Sequence, residues 1–175
     1  MKRAAAEIVR EHGPYPDADN VGGVTYDGHR VWMATGDRLR AVDPASGETL
    51  GAIDLPAHAG TAFDGRHLFQ IAEDRIHRID PQTGAVLRTI ESNRFVTGVT
   101  WVDGELWHAT WEDEQSELRH IDAGTGEVLE SLEMPPGVVV SGLDSDGADT
   151  FFCGGGSSGK LRTVRRPGRG AAGER

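Results

Sequence analysis

Two histidines and a scatter of polar side chains are the residues of this sequence best suited to chemistry. His108 stands between Trp107 and Trp111, just ahead of the acidic run Glu112-Asp113-Glu114. An imidazole titrates near neutrality, so it can act as general acid or base. His58 is the second catalytic candidate, and Glu73 offers a carboxylate to orient or assist. His58 and His108 are also the candidates for a divalent-metal site, although no HxH, HExxH or HxxxH spacing supplies the remaining ligands. Met33, Gln70, Trp111, Arg94, Asn20, Cys153 and Lys160 are expected to bind substrate. Other motifs are missing. Gly154 to Lys160 lacks P-loop spacing, because Leu161 follows the lysine where a Ser or Thr is needed. Ser141-Gly142 lacks the nucleophile-elbow pattern.

These residues are positioned by a repeat. Residues 23–56 read GVTYDGHRVWMATGDRLRAVDPASGETLGAIDLP, and GTAFDGRHLFQIAEDRIHRIDPQTGAVLRTIES follows in the same order. GVTWVDGELWHATWEDEQSELRHIDAGTGEVLESLEMP is a third copy, and GLDSDGADTFFCGGGSSGKLRTV an incomplete fourth. Four short strands per unit of roughly 40 residues signal a β-propeller blade. Asp-Gly at 27–28, 64–65, 103–104 and 146–147 marks the first hairpin of each copy, since Gly supplies a positive φ cheaply. The turns starting at Asp43, Asp80 and Asp122 mark the third. The second strands align as VWMATG, LFQIAE, LWHATW and FFCGGG, which places Met33, Gln70, His108 and Cys153 at one equivalent position. Trp32, Trp101 and Trp107 are expected to fill the core between blades. Propeller topology puts the loops leading into the inner strands, and the second-to-third hairpins, on one face. Asp17, Asp19, Asn20, His58, Arg94 and Phe95 should therefore ring the channel mouth, together with Thr35, Asp37, Glu73, Thr110, Trp111, Glu112 and the Gly154 to Gly159 loop.

The expected architecture is all-β, a four-bladed propeller over residues 1–165, with residues 166–175 as a flexible tail. The fourth copy lacks an outer strand, which would leave an unpaired edge. Residues near Glu7 to His12 are expected to supply that strand and close the last blade; a short helix over Arg3 to His12 is the competing reading. A net charge of −10 argues against nucleic-acid or anionic-lipid partners. One cysteine excludes an intramolecular disulfide. The amino-terminal residues have no apolar core of a secretory signal and no stretch has membrane-span length, so a cytoplasmic monomer or weak homodimer is expected.

The opening EIVREHGPYPDADNVGGVTYDGHRVWMATG resembles the start of the plant-type glutamine cyclotransferases (glutaminyl cyclases). LWHATWEDEQSELRHIDAGTGEVLESLEMP is similar to a later blade of that family, and GLDSDGADTFFCGGGSSGKLRTV to its closing blade. The resemblance implies a propeller whose amino-terminal strand completes the last blade, with a pocket at the channel mouth; members have five blades, one more than here. It places Met33 where the family carries a glutamate, and His108 where it carries an asparagine between tryptophans. The family's closing-blade lysine falls near Gly156, with Lys160 as its substitute. The resulting expectation is a small-molecule enzyme of cyclase, lyase or isomerase type, with His108 as acid/base and a divalent metal as its variant. The alternative is a non-catalytic ligand- or protein-binding propeller.

Overall fold

A computed structural model describes residue 5, residues 7–18 and residues 20–168. Asp19, residues 1–4 and 6, and the tail residues 169–175 lie outside the described residues. The chain is an all-β, four-bladed propeller in which each blade is one antiparallel sheet and successive strands are neighbours. Blade 1 holds β1 (Gly23–Tyr26), β2 (Val31–Ala34), β3 (Gly36–Val42) and β4 (Thr49–Ala57). Blade 2 holds β5 (Thr61–Phe63), β6 (Leu68–Ala72), β7 (Arg75–Ile79) and β8 (Val86–Glu91). Blade 3 holds β9 (Phe95–Val102), β10 (Glu105–Glu112), β11 (Gln115–Ile121) and β12 (Val128–Glu133). Blade 4 holds β13 (Gly142–Ser145), β14 (Thr150–Gly154) and β15 (Leu161–Arg165).

The turn aspartates do what their spacing predicts. The Asp43 carboxylate accepts hydrogen bonds from the backbone N–H of Ala45 and Ser46, while Gly47 donates to the Asp43 carbonyl. Asp122 repeats this with Gly124, Thr125 and Gly126. Gly47, Gly84 and Gly126 all sit at φ of 74–80°, a region that costs a Cβ-bearing residue. In the first hairpin, Asp27 accepts from the N–H of His29 and Arg30 and from Trp32 Nε1 at 2.8 Å. Burial raises its pKa, but those donors and the Arg30 side chain outweigh it and hold the carboxyl at about 2.

Alternation along the second and third strands gives each blade two apolar faces, and each face packs on a neighbour. Trp32, Ala34 and Leu39 of blade 1 meet Leu68 and Ile79 of blade 2. Phe69 and Ile71 of blade 2 meet Val99, Leu106 and Ile121 of blade 3, with Trp101 stacked on Phe69 at 5.9 Å between ring centres. Trp107 and Leu118 of blade 3 meet Leu143, Phe151 and Cys153 of blade 4, with Trp107 and Phe151 rings 5.0 Å apart. The three core tryptophans are thus where the sequence puts them. Among the described residues these three clusters join successive blades, and no equivalent cluster joins blade 4 to blade 1.

Two expectations are corrected. Residues 7–12 form neither a strand on blade 4 nor a helix. They lie instead on the Asp43–Gly47 turn of blade 1, where Arg10 Nη1 donates to the Pro44 carbonyl at 2.9 Å and Tyr15 donates to the Gly47 carbonyl. Arg40 completes the contact, donating to the Pro16 carbonyl and lying over the Tyr15 ring. Side-chain bonds to an adjacent turn win over backbone pairing with a distant edge, and the fourth sheet keeps three strands. Arg166, expected in the tail, is buried; its guanidinium donates to Glu105 at 3.0 Å and to Asp103 at 2.7 Å in blade 3. A two-carboxylate clamp of this kind is charge-assisted and ties β15 to the neighbouring blade.

Candidate functional site at the rim of blade 3

Among the described residues, blade 3 has the longest first and second strands of the four blades. β9 and β10 pair to their tips, setting Trp111 directly across from Phe95. Both rings are exposed. A β-bulge between Ala109 and Thr110 leaves Thr97 unpaired and re-aims this end of the sheet. The hairpin after β10, Asp113-Glu114, has φ of 48° and 62° and contains no glycine. Left-handed backbone at two successive non-glycine residues costs roughly 1–2 kcal/mol each, a strain that clusters at functional surfaces.

The neighbouring hairpin of blade 2 supports the same rim. Carbonyls of Glu73 and Asp74 accept from the N–H groups of Val96 and Ser92. Together these segments enclose an open cleft of about 470 Å³, lined by Glu73, Asp74, Asn93, Arg94, Phe95 and Glu112. Arg94 is held by Glu112 at 3.2 Å and Glu117 at 2.7 Å. Glu117 also accepts from Arg119 Nε at 2.7 Å, and Arg119 reaches on to the Asn93 side chain at 2.7 Å. Burial pushes the Glu117 carboxyl up, but the bonds and charges of Arg119, Ser131 and Arg94 outweigh it and keep it below its ordinary value. Asn93, Glu117 and Arg119 were not among the sequence candidates. For Glu117 and Arg119 the signal was the Glu-x-Arg alternation in QSELRHI, which aims two charges at one face of the sheet; Asn93 had no such signal.

The expected catalytic residues do not share a cavity. His108 faces backward into a space of about 480 Å³ between blades 2 and 3, beside Glu117, Arg119, Ile76 and Ile90. Among the described residues its Nδ1 has no hydrogen-bond partner. Burial and the Arg119 charge, partly offset by the Ala109 backbone and Glu117, depress its pKa to about 4. At neutral pH it is therefore an uncharged, weakly basic imidazole. His58 is exposed and lines the axial channel, a cavity of about 470 Å³ bordered by all four inner strands. Among the described residues no cluster of three His, Cys, Asp or Glu has the geometry for a metal ion.

The other members of the aligned position are packed. Gln70 is fully buried and spends its amide on the carbonyls of Ala59 and Ile71, while Thr61 donates to its oxygen. Met33 is buried on the back face of blade 1. Cys153 is buried against blade 3, where burial, slightly offset by Arg162, raises its thiol to about 11. The native protein should therefore resist a thiol reagent at neutral pH and react fully in denaturant; fast labelling of the folded chain would contradict this packing. Asn20 and Lys160 are exposed, away from the rim cleft. The structure thus unites Glu73, Arg94 and Trp111 at one rim and disperses the rest.

Blades of this construction around an axial channel define a β-propeller repeat protein. Within that class, the PQQ_2 family, described as outer membrane protein assembly factor BamB, matches residues 35–171, and the chain belongs to this family. This match supports the propeller but not the glutamine cyclotransferase resemblance in particular. No curated protein matches the chain. Among solved structures, the RRP9 WD40 repeats are similar at 19% identity and a TM-score of 0.64, over 82% of this chain and 47% of that one. BamB from Moraxella catarrhalis is similar at 12% identity and a TM-score of 0.62, over 82% and 42%. A chain of the mitotic checkpoint complex is similar at 16% identity and a TM-score of 0.65, over 94% and 55%. The chain thus spans about half the length of the structures it matches. Among the described residues no helix is long and apolar enough to cross a membrane.

Proposed function

We propose that this chain is a non-catalytic, protein-binding propeller, and that the rim of blade 3 is where a protein partner docks. The observation that carries the reading is the exposed Phe95–Trp111 pair, set in register on two extended strands beside the Arg94–Glu112–Glu117 ion pairs. Aromatic anchors ringed by oriented charges are the usual composition of an interface hot spot. The non-glycine turn Asp113-Glu114 holds that surface in a preset shape, which lowers the ordering cost of binding. The family description, an assembly factor, and the mitotic checkpoint complex as the source of one similar chain both support a protein partner. An enzymatic reading has less support, because His58 and His108 line separate cavities.

The test is affinity capture with the intact chain and with a Phe95→Ala/Trp111→Ala double variant, followed by binding measurements on any protein held only by the former. Loss of a hot-spot aromatic weakens binding by roughly 30-fold or more. Both changes are at exposed positions, so the thermal midpoint should move little. Identical captured sets for the two proteins would refute the assignment of this rim.

A further inference from the structure

Some positions that fill the core inside the propeller are bare on its first and last blades, although Met33 and Arg40 on the back face of blade 1 are buried beneath the Tyr15–Pro16 segment. Val24, on the back face of blade 1, is 59% exposed, whereas Val99 and Leu143 at the same register are 4% and 9% exposed. On the forward face of blade 4, Phe152 is 38% exposed against 1% for its counterpart Trp107. Leu161 is 73% exposed against 0% for its counterpart Leu118.

The inner-strand glycines say the same thing about the backbone. A Cβ on Gly23 would lie 2.9 Å from the Ala59 carbonyl oxygen, and one on Gly98 would lie 2.4 Å from Leu143 N, each in the following blade. Gly142 occupies the equivalent place in blade 4, and a Cβ there would meet nothing within 4 Å among the described residues. Gly is retained where another inner strand would pass, but this copy places no strand there.

We propose that a second copy of this chain fills the seam, head to tail, so that blade 4 of each copy packs on blade 1 of the other. The two faces involved are those that blades already use three times within the chain. The chain superposes on about half the length of these larger structures, and a second copy would supply an arc of like size. Using the same heterologous contact twice about a two-fold axis closes the ring instead of building a filament. The amino-terminal segment fits this arrangement. Ile8 and Val9 are exposed, and their segment precedes Gly23 as β4 precedes Gly60, the register of an outer strand for a preceding blade. In the two-copy ring that blade is the other copy's blade 4, whose β15 ends its sheet without a strand on its outer side. The segment then exchanges its side-chain bonds at the Asp43–Gly47 turn for backbone pairing.

Light scattering coupled to size exclusion is expected to give twice the chain mass for the native protein. Phe152→Glu and Val24→Glu should each yield a monomer with an unchanged far-ultraviolet circular dichroism spectrum, because either change puts a charge in both seams, weakening association by roughly a hundredfold or more. Mixing the two variants leaves one seam free of either charge, so the mixture should regain dimer. Gly142→Val is the backbone counterpart: its side chain meets open space within one copy and blocks the strand of the next. A native protein that is monomeric at every concentration overturns the proposal, as does a dimer that survives Phe152→Glu and Gly142→Val. Failure of the mixture to associate, with both variants folded, overturns the head-to-tail arrangement.

Discussion

Gly98→Ala is expected to destabilise the protein by roughly 3 kcal/mol, the upper part of the range for overpacking a tight interior. The added methyl would lie 2.4 Å from Leu143 N and 2.8 Å from Leu143 Cβ, and the first of these is main chain that no rotamer change can move aside. Blades 3 and 4 must separate to admit it, and the core around Trp107 and Phe151 loosens with them. Gly51 is the control. It sits in β4, also at an ordinary φ, and a Cβ there meets nothing within 4 Å among the described residues, so Gly51→Ala should be neutral or slightly stabilising. Urea denaturation of the two variants measures the difference. Equal midpoints would mean that the inner strands are not in the close contact described.

Acidification supplies the second large effect, and His108 is its source. Its folded pKa of about 4 lies below the ordinary histidine value of 6.5. Between those values the unfolded chain takes up a proton that the folded chain refuses, so stability falls as pH drops from 6.5 to 4 and levels off below. The full loss is about 3 kcal/mol, from about 1.4 kcal/mol per unit. His108→Leu is expected to be nearly neutral at pH 7, because it replaces a buried ring whose Nδ1 has no partner among the described residues. In the variant the decline over this window should vanish. Asp27 acts lower: its folded value of about 2 makes its contribution full above pH 4 and lost as pH falls toward 2. Denaturation midpoints from pH 7 to pH 4 separate the two. A parallel decline in native protein and variant would show that His108 is not the group responsible.

Much of the candidate site was legible as a list of residues and little of it as an arrangement. Arg94 and Glu73 belong to loops, and Trp111 to a strand end, that propeller topology sends to one face, and there they are found. The Glu117–Arg119–Asn93 chain was not anticipated, because Asn93 and Arg119 are 26 residues apart and meet only once the sheet has folded. His108 drew attention for its tryptophan neighbours in sequence. Strand alternation turns its side chain away from both and into the space between blades.

Sequence alone determined the blade: Asp-Gly and Asp-x-x-x-Gly turns and period-two alternation are local signals, set by backbone torsion and by which residues tolerate positive φ. Tertiary structure decided where each blade face goes. Every second strand presents a large apolar residue forward, yet Trp32, Phe69 and Trp107 are covered while Phe152 is half bare. Burial of a face depends on the blade that follows it, and for the last blade no following strand lies in the described chain. The placement of residues 7–12 had the same cause. Their pattern suits an outer strand, but pairing needs an edge within reach, and the nearest partner was the turn at Asp43.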